Sequence, residues 1–418
     1  MTDRALYTRS RVFVENTLAN AREQAAHRGY DDFVVVDVDA HHYENRAWKD
    51  IVPYMEDSPL KEWARSMTMR GSTGGAGGNA SAALTGVQLG NQEVGGRIIR
   101  AGRNFRDPLD DKADGRHPDV VRMLWAMDQL GIDHTIMFPT PMLNLGMHPQ
   151  IEAEVALARA YCRWLTTDLL PQDERIKTMI YLPFNDPKAS LEFVEEFKDK
   201  PGVVGFMVTS VRHRMVHHND YAPVYAAIQE TGKPIAFHAA YNWNEPSLSQ
   251  LNKFISVHAL GFTTCNMVHL INWIINGIPE RFPDLKVLWI ESGLAWLPFL
   301  MQRLDNEYMM RTSEAPLLKK LPSDYMREMY YSSQPMERHR NARALEVTFE
   351  MIDAPNHLLY SSDYPHWDYD VPSTIYDLPF LSESDKRSIL GGNACRVFGI
   401  DDKKILKAPS REHSALKS

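Results

Sequence analysis

Short apolar runs alternate with longer amphipathic stretches along this chain. The first run, Phe33-Val34-Val35-Val36-Asp37-Val38-Asp39, is β-branched and apolar, the pattern of a strand buried on both faces. Similar runs recur at His134–Phe138, Thr178–Leu182, Val203–Val208, Pro234–Phe237, Lys286–Ile290, Met329–Ser332 and His357–Ser361. Helical patterns lie between most of them, including Val120–Leu130, Ile151–Leu170, Lys188–Lys198 and Tyr221–Thr231. Strand and helix in alternation predict a parallel sheet with crossover helices. Eight strands is the number that closes a (β/α)8 TIM barrel. An open doubly wound sheet uses the same alternation, so the expectation is an α/β fold with the barrel preferred. Residues 1–30 read as an amphipathic helical leader, 31–400 as one barrel domain and 401–418 as a polar tail.

One segment breaks the alternation. Residues 71–102 hold ten of the 23 glycines, which no regular helix or strand would carry. They form the centre of an insertion over 65–110, after the first strand. It reads as a surface loop or as a cover over the barrel mouth, where such an insertion emerges. It contains neither GxGxxG nor GxxxxGK[ST], so a phosphate loop is not expected.

Composition narrows the classes. The chain has 418 residues, 44% hydrophobic and 24% charged, with a net charge of −8. A nucleic-acid surface would be basic, so no nucleic-acid partner is expected. Three scattered cysteines rule out a disulfide framework, and the N-terminus shows no apolar signal region. No run of eighteen apolar residues occurs, so no membrane span is expected. The expected location is the cytoplasm.

Barrel enzymes carry their chemistry at the C-terminal ends of the strands. There the chain offers VDVDAHHYEN (Asp37, Asp39, His41, His42, Glu44), His238 after the fifth run, Glu291 after the sixth, and Asp363, His366 and Asp368 after the eighth. Alternation along a strand puts Asp39 and His41 on one face and His42 on the other. A single histidine or aspartate at a strand end is ordinarily structural, and Asp37 reads equally well as a buried, paired acid. Several carboxylates buried together need compensation, and a divalent cation is the simplest.

These strand ends, with SDYPH, WIINGIPERFPDLKVLWIESGLAW and the closing GGNACRVFGI, resemble the amidohydrolase-related family that includes the aminocarboxymuconate semialdehyde decarboxylase-like enzymes. The resemblance covers roughly 33–400. It implies a (β/α)8 barrel with a metal at its C-terminal mouth, held by His41, His238 and Asp363. Two positions depart from the histidines common in the family: Asp39 and Glu291. Both exchanges make the site harder, which suits manganese or iron better than zinc. The segments DAHHYE and ESGLAWLPFLMQRLDNEYMMR are also similar to a dinuclear iron or iron–manganese branch that hydroxylates small acids with dioxygen.

The resulting expectation is a metal-dependent barrel enzyme acting on a small carboxylate-bearing molecule. The first reading is a dinuclear iron or manganese oxygenase using dioxygen. Its ligands would be Asp39, His41, His238, Glu291 and Asp363, with Glu44 and His258 as extras. The alternative is a mononuclear hydrolase or non-oxidative decarboxylase, with zinc admitted as the ion and Asp363 or His366 moving the proton. Arg212 is the candidate clamp for a substrate carboxylate and Trp243 a candidate pocket wall. A third reading is a non-catalytic barrel subunit. A homo-oligomer, or a hetero-oligomer with a related barrel, is expected.

Overall fold

The computed structural model describes residues 14–71, 114–210, 214–240, 247–366 and 368–401. Its eight parallel strands follow chain order: β1 (Val36–His42), β2 (His134–Pro139), β3 (Ile176–Tyr181), β4 (Val203–Thr209), β5 (Ile235–His238), β6 (Val287–Ile290), β7 (Tyr330–Ser332) and β8 (Leu358–Leu359). Backbone bonds bring the last strand's end back to the first. The Val38 amide donates to the Tyr360 carbonyl at 3.0 Å, the His41 amide to Tyr364 at 2.7 Å and the Asp363 amide to Asp39 at 2.7 Å. The sheet is therefore a barrel, not an open doubly wound sheet.

The principal helices are α1 (Val14–His27), α2 (Pro59–Gly71), α3 (Pro118–Leu130), α4 (Ile151–Trp164), α5 (Pro187–Phe197), α6 (Ala222–Thr231), α7 (Phe254–Ile275), α8 (Trp296–Met310) and α9 (Arg343–Met351). Their ends have local causes. Asp186 caps α5 by accepting from the Lys188 and Ala189 amides, with Pro187 in the first turn. Gly131 ends α3 at φ 73°, and a Cβ there would meet Ala25 at 2.8 Å. That close approach seats the leader helix α1, with Leu18 and Ala21 buried, against the barrel.

Two boundaries differ from the sequence pattern. β1 starts three residues later than the apolar run and continues through Asp39-Ala40-His41-His42. Pairing with β2 decides this, since His41 and His42 lie opposite Phe138 and Pro139. The helical pattern Ile151–Leu170 divides into α4 and a π turn over Leu165–Leu169. Residues 65–71 of the insertion complete α2. Residues 72–113, with most of the glycines, lie outside the described residues, as does the tail beyond Asp401. Among the described residues no helix is long and apolar enough to cross a membrane.

Candidate metal centre

Strand ends deliver four side chains to one point at the barrel mouth. Asp39 and His41 come from β1, His238 is the last residue of β5, and Asp363 follows β8. All four are fully buried or nearly so. The ligand atoms of Asp39, His41 and His238 lie within 4.8 Å of one another, and so do those of His41, Asp363 and His366. Nε2 of His41 is 3.2 Å from Asp39 Oδ1 and 3.3 Å from Asp363 Oδ1. Nε2 of His238 is 3.2 Å from the same Asp39 oxygen. The backbone at Asp363 is left-handed, with φ 61°, and at Glu291 φ is 57°. Non-glycine residues adopt this region at a cost of about 1–3 kcal/mol each, and it is a conformation that gathers at functional sites.

Hydrogen bonding settles which imidazole nitrogens face the centre. Nδ1 of His41 donates to the Pro139 carbonyl at 3.1 Å, and Nδ1 of His238 donates to the Ala239 carbonyl at 2.8 Å. Carbonyl oxygens only accept, so both Nδ1 atoms carry the proton. A neutral ring then turns a bare Nε2 lone pair toward a carboxylate oxygen. Two electron-rich atoms at 3.2 Å repel unless a cation lies between them or the ring takes a second proton. Burial pushes the His41 imidazole below its ordinary value and opposes that second proton, although Asp39 pulls the other way. His41 Nε2, Asp39 Oδ2 and Asp363 Oδ2 are buried and make no hydrogen bond among the described residues. Orphaned atoms of this kind are costly in a folded interior. The donor set therefore fits a divalent cation.

Electrostatics agree. Burial drives the Asp363 carboxyl well above its ordinary value, and repulsion from Glu291 and Asp39 adds to it. Burial would also raise Asp39; only positive charge beside it, from a second proton on His238 and His41 or from a cation in its place, reverses this and holds it low. A cation bound among these groups would relieve the repulsion.

Other sequence candidates fall elsewhere. Glu44, expected as an extra ligand, is in neither converging set. Its carboxylate accepts from the Thr140 amide at 2.9 Å and the Met142 amide at 2.7 Å, so it clamps the loop after β2. His258, expected likewise, sits on α7 with Nε2 3.7 Å from Asp368 Oδ2 and also stands outside both sets. Glu291 lies behind His238, its Oε2 3.5 Å from Nδ1, the nitrogen turned away from Asp39. Burial, then the Asp39 charge, raises its carboxyl well above the ordinary value. The structure therefore places Glu291 as a neighbour of a candidate ligand. His366 Nδ1 is 2.7 Å from Asp363 Oδ1, and its ring stacks on His41 at 4.2 Å. Arg212, Trp243 and Trp367 lie outside the described residues.

His42 points away from the centre, as alternation requires, and bonds Asp119 and Tyr161. Asp37 is a paired structural acid that accepts from the Ser362 and Asp39 amides at 2.8 and 3.1 Å. A recess beside the centre, between the end of β1 and α3, is lined by His41, His42, Tyr43, Arg46, Arg122 and Tyr364. Sequence reasoning missed Thr140, whose hydroxyl is 3.2 Å from His366 Nε2. No local motif marks it.

Eight parallel strands around a buried cluster of acids and imidazoles define the class as a (β/α)8-barrel protein with its site at the strand ends. The amidohydrolase family model matches residues 36–400, so the chain belongs to the amidohydrolase family. Gamma-resorcylate decarboxylase of Polaromonas sp. strain JS666 is 22% identical over 290 residues, covering 67% of this chain and 87% of that protein. Among solved structures, 5-carboxyvanillate decarboxylase from Sphingomonas paucimobilis superposes with a TM-score of 0.60 at 20% identity, covering 88% of this chain and 99% of that one. Dihydroxybenzoic acid decarboxylase from Polaromonas sp. JS666, with bound manganese and the inhibitor 2-nitroresorcinol, gives 0.58 at 18% identity, covering 90% and 99%.

Proposed function

We propose that this chain is a metal-dependent decarboxylase of a small aromatic carboxylate, with one divalent ion held by Asp39, His41, His238 and Asp363. The observation that carries the metal is the pair of bare imidazole nitrogens turned on buried carboxylates. The reaction class is supported by the similar decarboxylases. The preference for manganese is supported by the carboxylate-rich donor set and by the ion in the Polaromonas structure.

The ion would act as a Lewis acid toward the substrate carboxylate or an adjacent ring oxygen. Decarboxylation breaks the bond from ring carbon to carboxyl carbon, releases CO2 and places a proton on the ring carbon. Asp363 and His366 are proposed to carry that proton, because Nδ1 and Oδ1 lie 2.7 Å apart, close enough to pass it between them. The burial of Asp39, His41, His238 and Asp363 keeps bulk water from competing for it. Arg212 and Trp243 stand as the proposed carboxylate clamp and pocket wall.

The dinuclear oxygenase remains as a second reading because a second converging set, His41, Asp363 and His366, lies beside the first. The test is metal analysis of protein purified without chelator, followed by CO2 release from 2,6-dihydroxybenzoate and 5-carboxyvanillate with and without oxygen. One ion per chain and oxygen-independent CO2 release are expected. Two ions of iron or manganese with oxygen-dependent turnover would replace the decarboxylase with the oxygenase. One zinc with ester or amide hydrolysis would indicate the hydrolase. No metal and no turnover would leave the non-catalytic subunit, for which co-purification with a related barrel is the further check.

A further inference from the structure

The segment that ends β2, Pro139-Thr140, touches both imidazoles on the β1–β8 side of the centre. Pro139 accepts from His41 Nδ1 at 3.1 Å, and Thr140 Oγ1 lies 3.2 Å from His366 Nε2. The direction of the second bond follows from its neighbours. His366 Nδ1 faces Asp363 Oδ1 at 2.7 Å, and Asp363, ionised as a ligand of the ion must be, can only accept. Nδ1 therefore carries the proton, Nε2 of the neutral ring is the acceptor, and the Thr140 hydroxyl donates to it. With the other tautomer, an Nδ1 lone pair would face the Asp363 oxygen at 2.7 Å.

We propose that Thr140 is a positioning residue. Its hydroxyl locks the Nδ1–H tautomer of His366, which in turn ties down Asp363 Oδ1 and leaves Oδ2 for the ion. Glu44 completes the line. Its fully buried carboxylate holds the Thr140 and Met142 amides, so the loop cannot carry the hydroxyl away. Glu44 thus reaches the centre through three hydrogen bonds, Glu44 to Thr140 to His366 to Asp363, and not as a ligand. The proposal rests on the metal reading above, since an ionised Asp363 is what fixes the tautomer.

Two measurements test it, on full-length Thr140→Val and Thr140→Ser. The first is Mn2+ affinity of the metal-free protein by calorimetry, together with kcat and KM. Thr140→Val should lose about 10–100-fold in affinity, the range for a lost outer partner of a ligand. Its kcat should fall with KM little changed, and Thr140→Ser should restore both. Val binding Mn2+ like wild type, or Ser failing as badly as Val, would overturn the role. Matching thermal unfolding curves separate this from a folding defect.

The second is 15N NMR of histidine-labelled protein loaded with diamagnetic Zn2+, with His366 assigned from the spectrum of His366→Asn. Wild type should show His366 Nε2 as an unprotonated, pyridine-type nitrogen, and Thr140→Val should shift that signal. A protonated Nε2 in wild type, or no change in Val, would overturn the tautomer lock. Wild type that takes up no divalent ion would overturn the metal reading and this role with it, whereas wild type that binds Mn2+ beside an indistinguishable Thr140→Val would overturn the Thr140 role alone.

Discussion

Neighbouring residues of β1 build two acid–imidazole groups with opposite character. Outside the barrel, His42 places Nδ1 3.0 Å from Asp119 Oδ2 and Nε2 2.9 Å from the Tyr161 hydroxyl, while Arg122 reaches Asp119 Oδ1 at 3.2 Å. Both ring nitrogens and both carboxylate oxygens there have partners. Inside, His41 meets Asp39 and Asp363 with a bare Nε2, and one oxygen on each acid has no hydrogen bond among the described residues. The outer group is closed by Tyr161 and Arg122, and the inner group, as deeply buried, has no such donor or cation of its own among the described residues. A closed network stabilises the fold. A network left open at such cost is kept for something that completes it.

The sharpest break of this comparison is His41→Ala. Mn2+ affinity should fall by more than the ~10–100-fold typical of an outer partner, because a direct ligand is lost. Stability of the metal-free protein should change little or rise, since a repulsive contact disappears. Calorimetric titration and thermal unfolding read the two effects separately, and a strongly destabilised metal-free variant would make the inner group structural.

His42→Ala should do the reverse. It leaves Asp119 buried with less compensation, so denaturant unfolding should show a loss of about 3 kcal/mol, with metal content unchanged. The outer pair also has a pH signature. Burial pushes the Asp119 carboxyl up, but His42, His117 and Arg122 together hold it below 3.8. Its contribution is present above that unfolded value and is lost as pH falls through the lower folded one. Acid unfolding curves of wild type and His42→Ala should therefore converge below about pH 4.

Adding Mn2+ to metal-free wild type at a hundred times its Kd should stabilise it by about 2.7 kcal/mol, and the gain should vanish in His41→Ala. Equal gains in both would put the ion elsewhere. The smallest expected effect is at Glu291. From behind His238, Glu291→Gln should weaken Mn2+ binding about tenfold without altering metal preference. A swing toward zinc in Glu291→His would show instead that Glu291 is itself a ligand.

Much of this was legible before any coordinates. Period-two alternation separates Asp39 and His41 from His42, because a strand's geometry is local. The apolar runs and intervening helices mark the eight strands for the same reason, and burial on both faces leaves them few alternatives. Which strand-end residues meet was not legible in that way. His238 is 199 positions from Asp39, and Ser362 is 325 from Asp37, so only closure of the barrel brings them together. Glu44 and His258 look like ligands in the chain because their residue types suit metals. The tertiary structure gives the buried Glu44 to two backbone amides and leaves the half-buried His258 on α7, 3.7 Å from Asp368 and outside both converging sets. Thr140 is the converse: an ordinary hydroxyl after a strand, it acquires a role only because β2 lies beside β1 and the chain's last strand returns to the first.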